Sequence, residues 1–375
     1  MARIAFHAPL KPADHPVPSG DRETARLFLA ALQGAGFETG IASALRTADP
    51  VGGRDFSEPA QAEVARLLAL YREHPQERPA LWFTYHVYYK APDLIGPAIA
   101  RALGIPYVIA EGSRAPKRAQ GAWSRGHAQA EAALDAASLI VILNPNDRAM
   151  LEAARPDGQV LVDLPPFIDA AGWPLLEPGR PESSAPSPPC RLLTVAMMRE
   201  PDKLASYEIL AAALAGLDAD PSWHLDIVGD GPARHRVETL FAPFGERVAL
   251  HGRIDDRARL AALYAQADLL AWPAVNEAFG MVFLEAALQG CPAIAGKFGG
   301  VGSVVLDRQT GLLTRPGDAA DFGRSLAGLM RDTTLRQRLS GQALAFARQE
   351  RSLASASRRL REALLPLIQP EKPDA

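Results

Sequence analysis

The strongest constraint on this chain is a repeated alternation. Short, almost unbroken apolar runs are followed by longer amphipathic stretches. Arg3–Ala8, Glu38–Ser43, Ala80–His86, Pro106–Glu111 and Ser138–Leu143 read as strands. Between them, Arg22–Gln33, Ala60–Glu73, the stretch near Asp93–Leu103, and Ser124–Ala137 carry the helical period. A strand that is apolar on both faces belongs to a parallel sheet covered by helices on both sides.

Gly172–Pro189 breaks the rhythm. It holds Pro174, Pro178, Pro181, Pro186, Pro188 and Pro189, interleaved with serines. Such a segment can neither pair as a central strand nor continue a helix, so it reads as a linker. The alternation then restarts. Strands are expected near Arg191–Met197, His224–Asp230, Val248–Ile254, Leu269–Pro273 and Pro292–Ala295. Helices are expected near Lys203–Leu214, Ala233–Phe241, Arg257–Gln266 and Met281–Gln289. The tail from Ser340 to Gln369 is helical by pattern, with Pro366 and Pro370 marking its end.

A chain of 375 residues, at roughly 100–200 residues per domain, is expected to form two domains. The reading is α/β: a first Rossmann-like domain over 1–171, a linker over 172–189, and a second Rossmann-like domain over 190–351. A terminal helix, about 352–369, is expected to pack back on the first domain. Open α/β sheets bind ligands at the carboxyl ends of their strands. Two such units on a hinge imply facing domains with a cleft between them.

Composition narrows the function. Hydrophobic residues make up 48% and charged residues 22%, which are the values of an ordered core. The net charge of −3 lacks the basic excess of a nucleic-acid binder, so no nucleic-acid partner is expected. Two cysteines, Cys190 and Cys291, exclude a disulfide framework and suit a reducing cytosol. No stretch has the length and apolarity of a signal peptide or a membrane span. The expected location is the cytoplasm, with peripheral contact to the inner membrane face compatible.

The densest constellation runs from Asn276 to Ala286: Asn-Glu-Ala-Phe-Gly-Met-Val-Phe-Leu-Glu-Ala. It follows a buried strand and opens a helix. Gly280 lets a ligand approach the backbone, and the first amides of a helix suit a phosphate. Glu285, about a turn and a half inside, can accept hydrogen bonds from adjacent hydroxyls, and Glu277 can hold others. An acid pair at a helix start is by itself more often a cap and a solvated residue, so the surroundings carry the weight. The second constellation is Arg199-Glu200-Pro201-Asp202-Lys203, after the first strand of the second domain. Its cations can neutralise a diphosphate, or can be surface charges paired with their own neighbours.

Weaker signals surround these. Val228-Gly229-Asp230-Gly231-Pro232 lacks the last glycine of a dinucleotide fingerprint, because Arg234 stands there, and reads as a tight turn. Gly299-Gly300-Val301-Gly302 is either an anion-contacting loop or a plain flexible one. Ser19-Gly20 precedes a helix and can cap it. His86 ends the third strand and is either a reacting-site residue or an internally bonded histidine. The 8 histidines show no helical metal-ligand spacing, so no metal is expected. Asp218-Ala219-Asp220 reads as a solvated turn. Arg114, Lys117, Arg118 and Arg125 surround Trp123. That cluster reads first as a solvated face, and second as a receptor for a phosphorylated acceptor or an anionic lipid surface.

With these residues in hand, the chain resembles the retaining GT-B glycosyltransferases of the family 4 type, the glycosyl transferases group 1. The family's Glu-x7-Glu element matches Glu277 and Glu285. Ile227 to Pro232, Leu263 to Asp268, and Thr310 to Leu313 match as well, so the likeness is strong over roughly 190–330. Ser19-Gly20 resembles the end of the family's Gly-Gly loop, although Asp21 and Arg22 replace part of that loop. Ala196-Met197-Met198 separate the first strand of the second domain from Arg199, where the family writes Gly-Arg.

The resemblance implies roles. Arg199 and Lys203 would bind the donor diphosphate, Glu285 the ribose hydroxyls and Glu277 the sugar hydroxyls. Phe279, Gly280 and Met281 would contact sugar or phosphate through their amides. Gly20 and Gly229 would line the donor site, and Arg253 and Ile254 would meet the base. His86 would orient donor or acceptor, with His127 and Arg118 as candidate acceptor contacts. The implied activity is metal-independent transfer of a sugar from a UDP- or GDP-linked donor, with no cofactor. The acceptor would be a carbohydrate, a lipid-linked molecule or a small molecule. Two alternatives stay open: a sugar-nucleotide epimerase on the same fold, and a non-catalytic sugar-nucleotide-binding subunit.

Overall fold

The computed structural model describes residues 1–17, 19–174, 189–217 and 222–369. The chain divides into two compact units. One comprises Met1–Pro165 with Leu353–Ala375, and the other Pro166–Ser352.

In unit 1 the chain runs β1 (Arg3–His7), α1 (Gly20–Gly34), β2 (Glu38–Ser43), α2 (Ser57–Glu73), β3 (Leu81–Val87) and α3 (Gly96–Leu103). It continues through β4 (Tyr107–Gly112), α4 (Ser124–Ala136), β5 (Leu139–Ile142), α5 (Pro145–Ala153) and β6 (Val160–Asp163). The six strands form one parallel sheet in the order β2-β1-β3-β4-β5-β6. Central β3 is buried on both faces, and Leu81, Trp82 and Phe83 have no exposed surface. Phe28 of α1 lies 5.6 Å from the ring of Phe83. A carboxylate is built into this core at Asp93. It accepts from the amides of Ile95 (2.8 Å) and Gly96 (2.9 Å) at the head of α3, and from Tyr107 Oη (2.9 Å). A buried charge is tolerated when hydrogen bonds replace its water in this way.

Unit 2 repeats the plan with β7 (Cys190–Val195), α6 (Asp202–Ala215), β8 (Trp223–Val228), α7 (Arg234–Phe241), β9 (Val248–Gly252) and α8 (Arg257–Gln266). There follow β10 (Leu269–Trp272), α9 (Val282–Leu288), β11 (Ala293–Gly296), β12 (Gly311–Thr314), α10 (Ala319–Arg331) and α11 (Thr333–Ala345). The sheet order is β12-β11-β10-β7-β8-β9, again all parallel. Helix α12 (Leu353–Ile368) then returns to unit 1 and packs on α1. Arg361 donates to the carbonyl of Ala35 (2.8 Å).

Several expectations are corrected. Unit 1 ends at Pro165 rather than at 171, because the next residues are already fastened to unit 2. The Ile168 amide donates to Arg351 O (2.8 Å), and Trp173 lies against Tyr264. Of the linker assigned to 172–189, residues 175–188 lie outside the described residues, as does Asp218-Ala219-Asp220. The helical tail runs from α11 through a π-helical turn at Phe346–Glu350 into α12, with the break at Arg351–Ser352. Pro366 lies inside α12, two residues before its last residue Ile368. Strands β6 and β12 are short edge strands, and the apolar pattern alone did not resolve them. Among the described residues no helix is long and apolar enough to cross a membrane.

Candidate functional site

In unit 2 the strand order reverses between β7 and β10. Loops leaving the carboxyl ends of two such strands diverge, and ligands bind in the crevice they leave. Those loops are Ala196–Pro201 and Pro273–Met281. They carry Arg199, Glu277, Phe279, Gly280 and Met281, with Lys203 in the first turn of α6 just beyond.

The first loop is held by its neighbour after β8. Ala196 N donates to Val228 O (3.0 Å) and Met198 N to Asp230 O (2.9 Å), so the ladder continues past both strands. A Cβ on Gly229 would lie 1.8 Å from Ala196 O, and one on Gly231 would lie 2.3 Å from Met198 O. The two glycines are therefore needed for a side-by-side run that aims the segment ending in Arg199, rather than for a tight turn. Arg199 itself is exposed and forms no ion pair among the described residues.

The second loop is laced to α6. Val275 N donates to Ser206 Oγ (2.9 Å) and Asn276 Nδ2 to Asp202 Oδ1 (2.9 Å). Ala274 and Asn276 both have left-handed backbones, at φ 60° and 48°. Such strain persists only where the surroundings over-determine it, and it gathers at ligand sites. Lys203 Nζ forms an ion pair with Glu277, and the side chains are only 15% and 17% exposed. The same ammonium lies 5.7 Å from the centroid of buried Trp272.

Gly280 has φ 75°, and a Cβ there would lie 2.7 Å from the Phe283 ring. It stands before α9, whose hydrogen bonding begins with Phe283 N to Gly280 O (3.0 Å). Glu285 thus lies in the first turn of α9, earlier in the helix than its spacing from Gly280 suggested. Its Oε2 accepts from Tyr264 Oη (2.9 Å). Burial pushes the Glu285 carboxyl above the usual range, and the Tyr264 bond only partly offsets this. Gly299 and Gly300 are packed glycines, not a loose loop. Their Cβ atoms would each lie 2.3 Å from a carbonyl oxygen, of Glu277 and of Ala278 respectively. Arg253 and Ile254 follow β9. Arg253 is exposed and paired with Asp255 (2.7 Å), and Ile254 is partly buried against the core.

Unit 1 has its own reversal, between β1 and β3. Ser19 caps α1 by accepting from Arg22 N (3.2 Å). A Cβ on Gly20 would meet nothing within 4 Å, so packing does not demand a glycine there. His86 Nδ1 lies 3.1 Å from Asp21 Oδ1 in the first turn of α1. The ladder between β3 and β4 pairs Tyr85 with Ala110 and Val87 with Gly112 and skips the pair between. That pair is His86 and Glu111, both left-handed, at φ 64° and 61°. Glu111 Oε2 is enclosed and has no hydrogen-bond partner among the described residues.

Burial opposes charging of His86, but the Glu111 charge and the Asp21 bond outweigh it and raise its pKa. Burial raises Glu111, offset only in part by His86. Burial also raises Asp147, which is hydrogen-bonded to Ser113. Glu111 and Asp147 were missed in the sequence. For Glu111 a signal existed: it is an acid at the end of an apolar strand, the position that drew attention to His86.

His127 and Arg118 lie on elements following β4. His127 Nδ1 is 3.7 Å from Glu131. Arg118 stands over the rings of Tyr89 and Trp123, at 5.2 and 4.9 Å from their centroids. Among the described residues no three His, Cys, Asp or Glu side chains are grouped to hold a metal ion.

Residues 193–345 match the family model described as glycosyl transferases group 1. The chain is similar to the D-inositol 3-phosphate glycosyltransferase of Corynebacterium glutamicum, at 32% identity over 38% of this chain and 36% of that one. It is also similar to the sulfoquinovosyl transferase of Arabidopsis thaliana, at 31% identity over 35% of this chain and 25% of that one. The match spans less than half the length of either relative.

Among solved structures, sucrose-phosphate synthase from Thermosynechococcus elongatus superposes with a TM-score of 0.71 at 20% identity, covering 97% of this chain and 98% of that one. The Anabaena protein HepE in complex with UDP gives 0.71 at 18% identity, covering 97% and 99%. Both likenesses concern the fold. Two six-stranded parallel sheets wrapped by helices, with superpositions that span nearly the whole chain, give it a two-domain GT-B fold, and residues 193–345 within it are similar to the glycosyl transferases group 1.

Proposed function

We propose that the chain is a glycosyltransferase. It moves a sugar from a UDP- or GDP-linked donor, bound by unit 2, to the hydroxyl of an acceptor bound by unit 1. The observation that carries this reading is the gathering of Arg199, Lys203, Glu277 and Glu285 around one strand-order reversal. Two cations and two carboxylates suit a ligand that combines a diphosphate with sugar hydroxyls.

In this reading Lys203 and Arg199 meet the charge that develops on the diphosphate as the sugar–oxygen bond breaks. Preorganised charges of this kind supply the largest share of catalysis in many enzymes. The pairing with Glu277 holds Lys203 in place before the donor arrives. Glu285, braced by Tyr264, takes the ribose hydroxyls, and Glu277 takes those of the sugar. The amides of Phe279, Gly280 and Met281 line the path between. Among the described carboxylates at this reversal, Glu277 is paired with Lys203, Glu285 with Tyr264 and Asp202 with Asn276, and none is assigned as a nucleophile. The acceptor therefore attacks from the face the leaving group departs, and a phosphate oxygen takes its proton, with retention at the sugar carbon.

The test is a thermal-shift panel with UDP, GDP and their sugars, followed by donor hydrolysis and transfer assays on Glu285→Ala and Lys203→Ala. A ligand at 100 times its Kd adds about 2.7 kcal/mol of stability. Unchanged turnover in both variants would overturn the assignment.

A further inference from the structure

The basic cluster around Trp123 divides into two kinds of cation. Arg114 is neutralised by Glu131 and Asp135, and Arg125 by Asp55 at 2.6 Å. Lys90 and Arg118 have no carboxylate partner among the described residues. Both are half-buried against the same two rings. Lys90 Nζ lies 5.7 Å from the Tyr89 centroid and 5.4 Å from that of Trp123. The Arg118 guanidinium is at 5.2 and 4.9 Å. The rings themselves meet edge to face at 5.8 Å.

This corner is fixed from behind. Trp123 Nε1 donates to Asp49 O (3.1 Å). A Cβ on Gly126 would lie 2.3 Å from Tyr89 O, so α4 is pressed against the Tyr89 backbone. The Asp49 carboxylate is already engaged by the amides of Gly52 (2.7 Å) and Arg54 (2.9 Å). Arg118 Nε is enclosed and has no acceptor among the described residues. Two like charges held at one rigid corner, one of them with an orphaned N–H, are costly unless something anionic joins them.

We infer that Lys90 and Arg118 form an anion site for the phosphate group of the acceptor. An arginine fork beside a lysine point charge suits a phosphate oxygen set. The location agrees. Lys90 follows the carboxyl end of β3, and Arg118 lies in the segment after β4. Rings connect the corner to His86: His86 stacks on Tyr88 at 4.8 Å, Tyr88 meets Tyr89 at 5.4 Å, and Tyr89 meets Trp123. The inference rests on the proposed function only in calling the ligand an acceptor. The anion site stands on the cations and rings alone. The phosphate can belong to a soluble phosphomonoester or to a lipid headgroup.

The experiment is calorimetric titration of the full chain with inorganic phosphate and glycerol 3-phosphate. It is run on wild type, Arg118→Ala, Lys90→Gln and Lys203→Ala, and paired with sedimentation against phosphatidylglycerol and phosphatidylcholine vesicles. Arg118→Lys, which keeps the charge, is the substitute if Arg118→Ala melts early. Saturable phosphate binding weakened at least tenfold by Arg118→Ala and Lys90→Gln, and retained in Lys203→Ala, is expected. Binding only to phosphatidylglycerol vesicles, lost in the same two variants, assigns the site to a lipid phosphate. Binding that is absent throughout, or equal in wild type, Arg118→Ala and Lys90→Gln, overturns the site. Failure of UDP and GDP to bind bears on the donor reading alone, since phosphate binding at Lys90 and Arg118 is read independently.

Discussion

His86 and Glu111 stand as the skipped pair in the ladder between β3 and β4, each in a left-handed backbone that an unstrained strand avoids. The twist takes both side chains out of the alternation that would otherwise fix their faces.

The charge state of this pair sets a pH dependence. His86 titrates above its ordinary 6.5, because Glu111 and Asp21 outweigh the opposing burial. Its contribution to stability is complete below 6.5 and is lost as pH rises through the higher folded value. The melting-temperature deficit of His86→Gln relative to wild type is therefore expected to be largest on the acid side of 6.5 and to shrink toward alkaline pH. A deficit that does not vary with pH would show that folding does not raise the His86 pKa.

Removing Lys203 leaves the Glu277 carboxylate poorly solvated and without its partner. Lys203→Met is expected to cost about 1–3 kcal/mol of stability, the usual penalty for an orphaned buried polar group. The double variant Lys203→Met/Glu277→Gln is expected to cost less than the sum of the single changes, since the two groups share one interaction. Denaturant melts of the four proteins measure the coupling.

The glycines of the 299–302 stretch separate by position. A Cβ on Gly300 would lie 2.3 Å from Ala278 O and 2.6 Å from the Phe279 ring, whereas one on Gly302 would meet nothing within 4 Å. Gly300→Ala is expected to displace the loop from Glu277 to Phe279 and to weaken nucleotide binding at least tenfold. Gly302→Ala is expected to remain within about 0.5 kcal/mol of wild type, as surface changes usually do. Calorimetry with the nucleotide that wild type binds, beside thermal melts, distinguishes them.

Glu285 separates stability from binding. Burial raises its carboxyl above the ordinary 4.5, so the stability tied to its protonated form is lost as pH climbs through the folded value. Glu285→Gln removes that titration and is expected to match or exceed wild-type melting temperature at neutral pH while binding nucleotide at least tenfold more weakly. Loss of stability with binding intact would remove Glu285 from the ribose site.

Much of this was legible from residue order. Apolar runs located ten of the strands, because a strand buried on both faces admits few polar residues. Edge strands β6 and β12 escaped because each is only four residues long, shorter than the edge strands β2 and β9 that were found. The acids and cations of unit 2 were legible because they sit at strand ends in an otherwise apolar context. Glu111 had the same signature and was passed over. What no residue pattern displays is a backbone collision: the reason for glycine at 229, 299 and 300 lies in carbonyls up to 33 residues away along the chain. The left-handed conformations of His86 and Glu111 are equally invisible, being imposed by the sheet rather than by the residue type.

The return of α12 has a consequence for biosynthesis. Gly34 and Ser357 nearly touch, and Arg361 closes over the end of α1 at Ala35. The whole of the other unit, Pro166–Ser352, is inserted in the chain between Pro165 and this helix. A ribosome thus emits nearly all of the first unit, then the whole of the second, before it releases the helix that seals the first. The unit begun earliest is finished last. A nascent chain halted anywhere before Leu353 would leave α1 with one flank bare, a state open to chaperones and proteases until α12 emerges.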